Sequence, residues 1–146
     1  MTVPDYDTVI VGAGFSGIGT AIKLDKSGLG DYLVIEAGDG PGGTWYWNTY
    51  PGIAVDIPSF SYQFSFEKSP DWTRTYAPGH ELKAYAEHCV DKYGLRRKIR
   101  FNTKVVGATF DDDGVVIGHC QTSRRWAMTC SPCLGRNVSV ASSSTG

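Results

Sequence analysis

The feature that most constrains this chain is a glycine pattern that directly follows a short β-branched run. Residues 8–11 read Thr-Val-Ile-Val, which is typical of a buried strand. Three glycines come next at the spacing G-x-G-x-x-G: Gly12, Gly14 and Gly17. An apolar helical face follows, and a second apolar run at residues 32–35 ends at Glu36, 19 residues after Gly17. This order of strand, glycine turn, helix, strand and acid predicts a βαβ unit that binds a dinucleotide.

Each residue of this pattern has a mechanical role. Gly12 allows a tight turn, Gly14 lets the backbone approach a pyrophosphate, and Gly17 lets the helix lie close to the strand. The N–H groups at the start of the helix can bind phosphates, and Ser16 adds a hydroxyl there. Glu36 would accept hydrogen bonds from both hydroxyls of an adenosine ribose and would repel a 2′-phosphate. The sequence therefore predicts FAD or NAD as the first nucleotide, and not NADP; the simpler alternative is a flexible glycine loop.

Length and charge limit what else the chain can be. With 146 residues, it is predicted to form one domain. Lys and Arg number 14 and Asp and Glu number 15, for a net charge of −1, which argues against nucleic acid and membrane surfaces as partners. No segment approaches the ~18 apolar residues of a membrane span, and Asp5 and Asp7 stand where a signal peptide would be positive. We therefore expect a cytoplasmic protein.

Later segments have the patterns of further helices and strands. Residues 82–93 place apolar residues, Cys89 among them, on one helical face, and Gly94 ends the helix. Two short strands and a hairpin turn are predicted at residues 99–101, 106–110 and 111–114. The predicted fold class is α/β, with a mostly parallel sheet and crossover helices. So few strands are expected to leave residues 8–11 and 32–35 poorly protected.

The segment at residues 38–52 is rich in glycine and then in aromatic residues, without a helical period. It opens an ordered series of motifs: Gly42-Gly43-Thr44-Trp45, Asn48-x-Tyr50-Pro51-Gly52, Asp56-x-Pro58-Ser59, Tyr62, Ser65-Phe66, Asp71-Trp72 and Tyr76-Ala77-Pro78. Through these motifs the chain resembles the flavoprotein monooxygenases of the flavin-containing and Baeyer–Villiger group. The resemblance runs to about Phe110, or about three quarters of the chain. It implies the N-terminal part of a Rossmann-like FAD-binding domain in a flavoprotein with two dinucleotide-binding domains.

The resemblance also implies roles for individual residues. Gly43, Thr44 and Trp45 are expected to lie along the flavin and its pyrophosphate. Asp56 would lie beside the isoalloxazine ring, Tyr62 would contact the cofactor, and Val105 would meet the adenine side of FAD. Asp56 would lie near the nicotinamide position; alternatively, it is a turn residue ahead of Pro58. For Tyr46 and Trp47 we favour a structural role, as core aromatics that brace an irregular loop.

The composition changes abruptly near the end of the chain. Residues 114–146 contain no Asp, Glu or Lys, and the resemblance is lost after about residue 116. We therefore divide the chain into 1–116, the N-terminal part of the FAD domain, and 117–146, an aberrant or diverged tail. Translation out of frame is the favoured origin of the tail, and a diverged strand pair is the alternative. A zinc site built from His119, Cys120, Cys130 and Cys133 has no supporting fold, so no metal site is predicted.

The predicted function is that of a fragment of an FAD- and NADPH-dependent monooxygenase. In the family, such an enzyme adds one oxygen atom from O2 to a small ketone or soft-heteroatom substrate. The NADPH domain is expected to be absent, no catalytic residue can be assigned, and no turnover is expected from the chain alone. The alternatives are a non-catalytic FAD- or nucleotide-binding fragment, a degraded pseudogene-like product and, less favoured, an NAD-dependent dehydrogenase unit.

Overall fold

The computed structural model describes residues 5–69, 71–110, 115–121 and 125–129. Its strands are β1 (Thr8–Val11), β2 (Tyr32–Ile35), β3 (Ile99–Arg100), β4 (Val105–Phe110), β5 (Val115–Cys120) and β6 (Arg125–Thr129). Its α-helices are α1 (Phe15–Lys26), α2 (Thr44–Trp47) and α3 (Gly79–Lys92), and 3₁₀ turns lie at Ser59–Ser61 and Leu95–Lys98. No helix in these ranges is long and apolar enough to cross a membrane.

The first three strands form a parallel sheet in the order β1-β2-β3. Val9 pairs with Leu33, and Ile35 pairs with Arg100. Because parallel neighbours need a crossover connection, α1 links β1 to β2 and α3 lies in the long connection to β3. The α/β fold predicted from the glycine fingerprint is confirmed, with both predicted strands at their predicted bounds.

The parallel sheet is covered on both faces. One face packs against α1 and α3, in a cluster that includes Ile10, Ile22 and Val90. The other face packs Leu33 against Val116 of β5. The expectation of poorly protected strands is therefore wrong for the faces of β1 and β2, because the antiparallel strands fold back over the sheet and bury its second side.

The last three strands form an antiparallel sheet in the order β4-β5-β6. Thr109 pairs with Ile117, as the predicted hairpin requires, although the turn at 111–114 lies outside the described residues. Strands β5 and β6 show that part of the segment 117–146 is paired. The domain boundary at 116 and the out-of-frame origin of the tail stay predictions, and residues 130–146 lie outside the described residues.

The long connection between α2 and α3, residues 48–78, is hydrogen-bonded to α3 and to its own ends. The amide of Val55 donates to the Ala77 carbonyl at 3.0 Å. Glu67 is buried, and its carboxylate accepts hydrogen bonds from Lys92 and Tyr93. These contacts fix the loop that carries Asp56 and Tyr62 against α3.

Candidate functional site

The turn after β1 has the geometry that its glycines predict. Gly12 has a φ of 94°, in the left-handed region that favours glycine, and its amide donates to the Ile35 carbonyl at 2.8 Å. Gly14 is the N-cap of α1 and supplies no side-chain cap, and the first turn of α1 contains no acidic residue. The partial positive charge at the N-terminus of α1, where Ser16 lies, is therefore not offset by a carboxylate in that turn.

Two glycine loops approach each other closely beside this turn. A Cβ on Gly43 would lie 2.8 Å from the Gly14 Cα, and a Cβ on Gly14 would lie 3.4 Å from the Gly43 Cα. The amide of Gly42 donates to the Ala13 carbonyl at 2.9 Å. Gly14 thus makes a close approach to the backbone that leads into Thr44, and its predicted approach to a pyrophosphate stays a prediction.

Glu36 lies at the end of β2 with 4% of its surface exposed. One carboxylate oxygen accepts the Ala13 amide at 2.6 Å, and the other accepts the Gly38 amide at 2.7 Å. A carboxylate has about four lone-pair positions, so about two remain after these bonds. The acid predicted to contact a ribose therefore also holds the two glycine loops together.

A cavity of about 480 Å³ opens beside Glu36, at the carboxyl ends of β1 and β2. This is the edge where ligands bind in open α/β sheets. Residues that line the cavity include Gly12, Glu36, Trp47, Lys104, Val105 and Gln121. Val105 lines the cavity, and its adenine contact stays a prediction. Trp47, Lys104 and Gln121 were not identified from the sequence.

The chain reaches this cavity through an unusual backbone position. Asn102 has a φ of 52°, and its amide donates to the Gly38 carbonyl at 2.8 Å. The Thr103 amide donates to the Glu36 carbonyl at 2.9 Å. Asparagine tolerates the left-handed region better than most residues, so Asn102 can redirect the chain from β3 to the cavity.

A second group of predicted residues forms an aromatic cluster. The Trp45 indole N–H donates to the Tyr62 hydroxyl at 3.3 Å, and the two rings meet edge to face at 5.7 Å. Phe15, the first residue of α1, packs against Tyr62 at 5.2 Å. Trp45 is buried in this cluster, which connects α1 to the loop that follows α2.

The neighbouring aromatics have different environments. Tyr46 packs over the glycine loop: a Cβ on Gly38 would lie 2.6 Å from its ring, and its hydroxyl donates to Asp39 at 2.6 Å. Tyr46 thus braces the glycine loop as predicted, but it is only partly buried and lies outside the core clusters of the described residues. Trp47 is 53% exposed and lines the cavity beside Glu36. Its assignment to the core is therefore wrong, because its ring packs on the solvent-facing side of Tyr46.

Asp56 lies exposed in the bend before Pro58. The structure therefore separates the predicted residues into a cavity group around Gly12 and Glu36, an aromatic group around Trp45, and Asp56 on the loop surface. The ranges described in the structure hold no cluster of three or more potential metal ligands. Of the considered zinc ligands, Cys130 and Cys133 lie outside the described residues.

These features fit an FAD molecule. The bare backbone of Gly12 lines the cavity, the first turn of α1 contains no acidic residue, and Glu36 keeps acceptor capacity next to the cavity. A dinucleotide needs this combination of bare backbone, helix N-terminus and acid.

Comparisons with known proteins agree in sequence and in fold. The family model of the NAD(P)-binding Rossmann-like domain matches residues 10–78. A Baeyer-Villiger monooxygenase of Streptomyces coelicolor is 41% identical over 104 residues, and one of Pseudomonas aeruginosa is 47% identical over 103 residues. These matches cover 71% and 70% of this chain and 20% of each relative. An FAD-binding monooxygenase of Aspergillus terreus is 42% identical, over 72% of this chain and 19% of its own length.

Solved structures show the same relationship. An oxidized steroid monooxygenase bound to NADP superposes with a TM-score of 0.80 at 37% identity, over 84% of this chain and 24% of its own. The OTEMO complex with FAD and NADP gives 0.81 at 31% identity, over 87% and 25%. A closed cyclohexanone monooxygenase gives 0.80 at 37%, over 87% and 25%. The chain thus spans about a fifth to a quarter of the length of the relatives it matches.

Proposed function

We propose that this chain, a homologue of a segment of the Baeyer–Villiger and FAD-binding monooxygenases, binds FAD with the ADP half in the cavity beside Glu36. The observation that carries the proposal is the position of the Glu36 carboxylate, which lies between the turn before α1 and the glycine loop before α2. A helix N-terminus, a bare glycine turn and an acid meet there, and each suits one part of an adenosine diphosphate.

In this proposal the residues divide by the part of FAD that they contact. Gly12, Gly14, Ser16 and Gly17 shape and supply the phosphate site. Glu36 accepts the ribose hydroxyls, and Val105 lies against the adenine. The residues that approach the pyrophosphate and the flavin are Gly43, Thr44, Trp45, Asp56 and Tyr62. When bound, the flavin supplies the redox chemistry; the chain's residues bind it, orient it and exclude water from its buried half.

The protein to which this segment corresponds is proposed to be an FAD- and NADPH-dependent monooxygenase. Such an enzyme uses O2 to oxygenate a small ketone or soft-heteroatom compound. Residues 1–116 are proposed as the N-terminal part of its FAD domain. No residue of the chain is assigned as an acid, base or nucleophile, so we propose that the chain alone does not turn over. A cytoplasmic location remains a sequence-based prediction.

The first test is binding of FAD to the purified chain, followed by flavin fluorescence and by the thermal transition. We expect FAD to raise the transition temperature, because a ligand that binds only the folded state stabilises it. Gly14→Val and Glu36→Arg should abolish this rise in transition temperature. The valine side chain would push against the Gly43 backbone, and the arginine would replace the acid that accepts the ribose hydroxyls. Matched controls are Gly107→Val, where the structure has open space, and Glu87→Arg on the exposed side of α3.

Other results would favour the alternatives. A folded chain that ignores FAD would contradict the proposal, and stronger protection by NAD than by FAD would favour a dehydrogenase unit. A chain that elutes expanded, without a cooperative transition in the presence or absence of FAD, would favour a degraded product. NADPH-dependent oxygenation by the chain alone would contradict its proposed inactivity.

A further inference from the structure

Glu36 forms hydrogen bonds with four other residues: Ala13, Gly38, Arg100 and Thr103. Its carboxylate accepts the Ala13 amide from the turn after β1 and the Gly38 amide from the glycine loop. Its own amide donates to the Arg100 carbonyl at 2.9 Å, and its carbonyl accepts the Thr103 amide at 2.9 Å. The ends of β1, β2 and β3 and the start of the path to the cavity therefore meet at this one residue.

The Glu36 carboxylate is held by backbone amides. Both amide bonds are short, at 2.6 and 2.7 Å. Within the described ranges, no Lys, Arg or His side chain forms an ion pair with it. A buried charge without a cation depends on its hydrogen bonds, so the positions of the two loops and of the carboxylate depend on each other.

We propose that Glu36 is a positioning residue, which holds two segments in place before any nucleotide binds. These are the phosphate turn, residues 12–14 between β1 and α1, and the glycine loop, residues 38–43 before α2. Its remaining lone pairs stay available for the ribose hydroxyls, a second step that rests on the proposed FAD function. The first step is independent of that function, because both bonds join the Glu36 carboxylate to the chain's own backbone amides.

The two bonds require a glutamate. Glutamine has one carbonyl oxygen, and its amide nitrogen is a donor that cannot accept a second N–H. Aspartate can still accept the amide two residues on but is shorter by one methylene, so we expect it to lose the Ala13 bond. Both Glu36→Gln and Glu36→Asp are therefore expected to release at least one loop.

The decisive measurement is residue-resolved amide hydrogen exchange of the nucleotide-free chain. In the wild type we expect the Ala13 and Gly38 amides to be protected to a degree similar to the β2 amides. In Glu36→Gln at least one of the two should exchange at least roughly tenfold faster, while the amides of α3 keep their rates. Exchange of Ala13 and Gly38 in the wild type at the rate of an unstructured peptide would overturn the proposal, even if the variant fails to fold.

Glu67→Gln is the matched control, because Glu67 is also a buried glutamate but is bonded to side chains of α3 and its C-cap. It should lower the transition temperature without selective release of Ala13 and Gly38. If Glu67→Gln released these two amides as strongly as Glu36→Gln does, their protection would report general stability, and the positioning role would be contradicted.

Binding probes separate positioning from ribose recognition. ADP contains the ribose, whereas inorganic pyrophosphate contains only the phosphates. If Glu36 positions the phosphate turn, Glu36→Gln should weaken both probes, each by roughly tenfold. Loss of ADP affinity with pyrophosphate affinity unchanged would mean that Glu36 acts only on the ribose and would overturn the proposal. If neither probe nor FAD binds the wild type, the proposed function fails, and hydrogen exchange alone still decides the positioning role.

Discussion

A Cβ atom on Gly17 would lie 2.0 Å from the carbonyl oxygen of Gly12 and 3.4 Å from the Ile10 side chain. The first turn of α1 therefore rests directly on the turn that leaves β1. The clash would be with backbone, which cannot move aside as the end of a flexible side chain can. This contact sets the distance between helix and sheet, and with it the position of the helix N-terminus.

Gly17→Ala is expected to destabilise the chain by roughly 1–3 kcal/mol or more, because the added methyl group overpacks a backbone contact. Gly107→Ala is the matched control, since no atom lies within 4 Å of a Cβ at that position. Urea unfolding of the two variants measures the difference. Equal stability of both variants would contradict the close helix–sheet contact.

Tyr85→Phe is expected to destabilise the connection between α2 and α3, which carries Tyr62. The Tyr85 hydroxyl donates to the Glu67 carbonyl at 2.5 Å and accepts the Phe64 amide at 2.9 Å. Its removal leaves a buried carbonyl and an amide without this partner, at a cost of roughly 1–3 kcal/mol. Tyr76→Phe, at a tyrosine that is 52% exposed, should change the free energy of unfolding by less than about 0.5 kcal/mol. A similar small change in both variants would show that the Tyr85 bonds contribute little.

Glu67 is expected to make the stability depend on acid. Hydrogen bonds from Lys92, His88 and Tyr93, with the Lys92 bond the strongest, lower the pKa of Glu67 to about 2, although burial opposes this shift. A folded-state pKa below the unfolded value contributes stability above the unfolded pKa, near 4.5, and this contribution is lost as the pH falls toward 2. The free energy of unfolding should therefore decrease over that window.

Urea unfolding between pH 6 and pH 2.5 measures this dependence, and Glu67→Gln isolates the contribution of Glu67. The variant should lose less stability than the wild type across the window, because its amide does not titrate. Parallel pH curves for the two proteins would show that Glu67 is not the acid responsible.

Cys89 is expected to be inert in the folded chain. It is fully buried on the apolar face of α3, and burial raises the pKa of its thiol to about 11. In a variant with Cys120→Ala, Cys130→Ser and Cys133→Ser, a thiol reagent such as Ellman's at pH 8 should not react until urea unfolds the chain. One equivalent of rapid reaction in the native state would contradict the core role of Cys89.

Local patterns identified the βαβ unit because each of its signals is local. The apolar runs at residues 8–11 and 32–35, the glycines between them and the acid after them occur within 29 consecutive residues. The helical face of α3 with Cys89, and the antiparallel pairing of β4 with β5, were predicted on similar grounds. Period and turn chemistry act over a few residues, so they can be read without knowledge of the tertiary structure.

The cavity depended on contacts between distant segments. Lys104 and Gln121 reach it because the Gln121 amide bonds the Lys104 carbonyl at 2.9 Å, and Asn102 bonds Gly38 at 2.8 Å. Nothing in a single segment predicts such pairs. Trp47 was assigned to the core on its aromatic character alone, and the fold of the glycine loop around Tyr46 decided that it is exposed.

The sequence by itself determined the βαβ unit and the glycines at its turn. The steric limits on glycine, the apolar periodicity and the signals of helix termini all act locally. Tertiary structure alone decided that both oxygens of Glu36 are bonded to the loops of Ala13 and Gly38. It also decided that β5 covers the second face of the parallel sheet. The bond from Ala13 to Glu36 and the contact of β5 with the sheet both require groups far apart in the chain to meet. Buried hydrogen-bonding groups and apolar surface find such partners only when the whole chain packs.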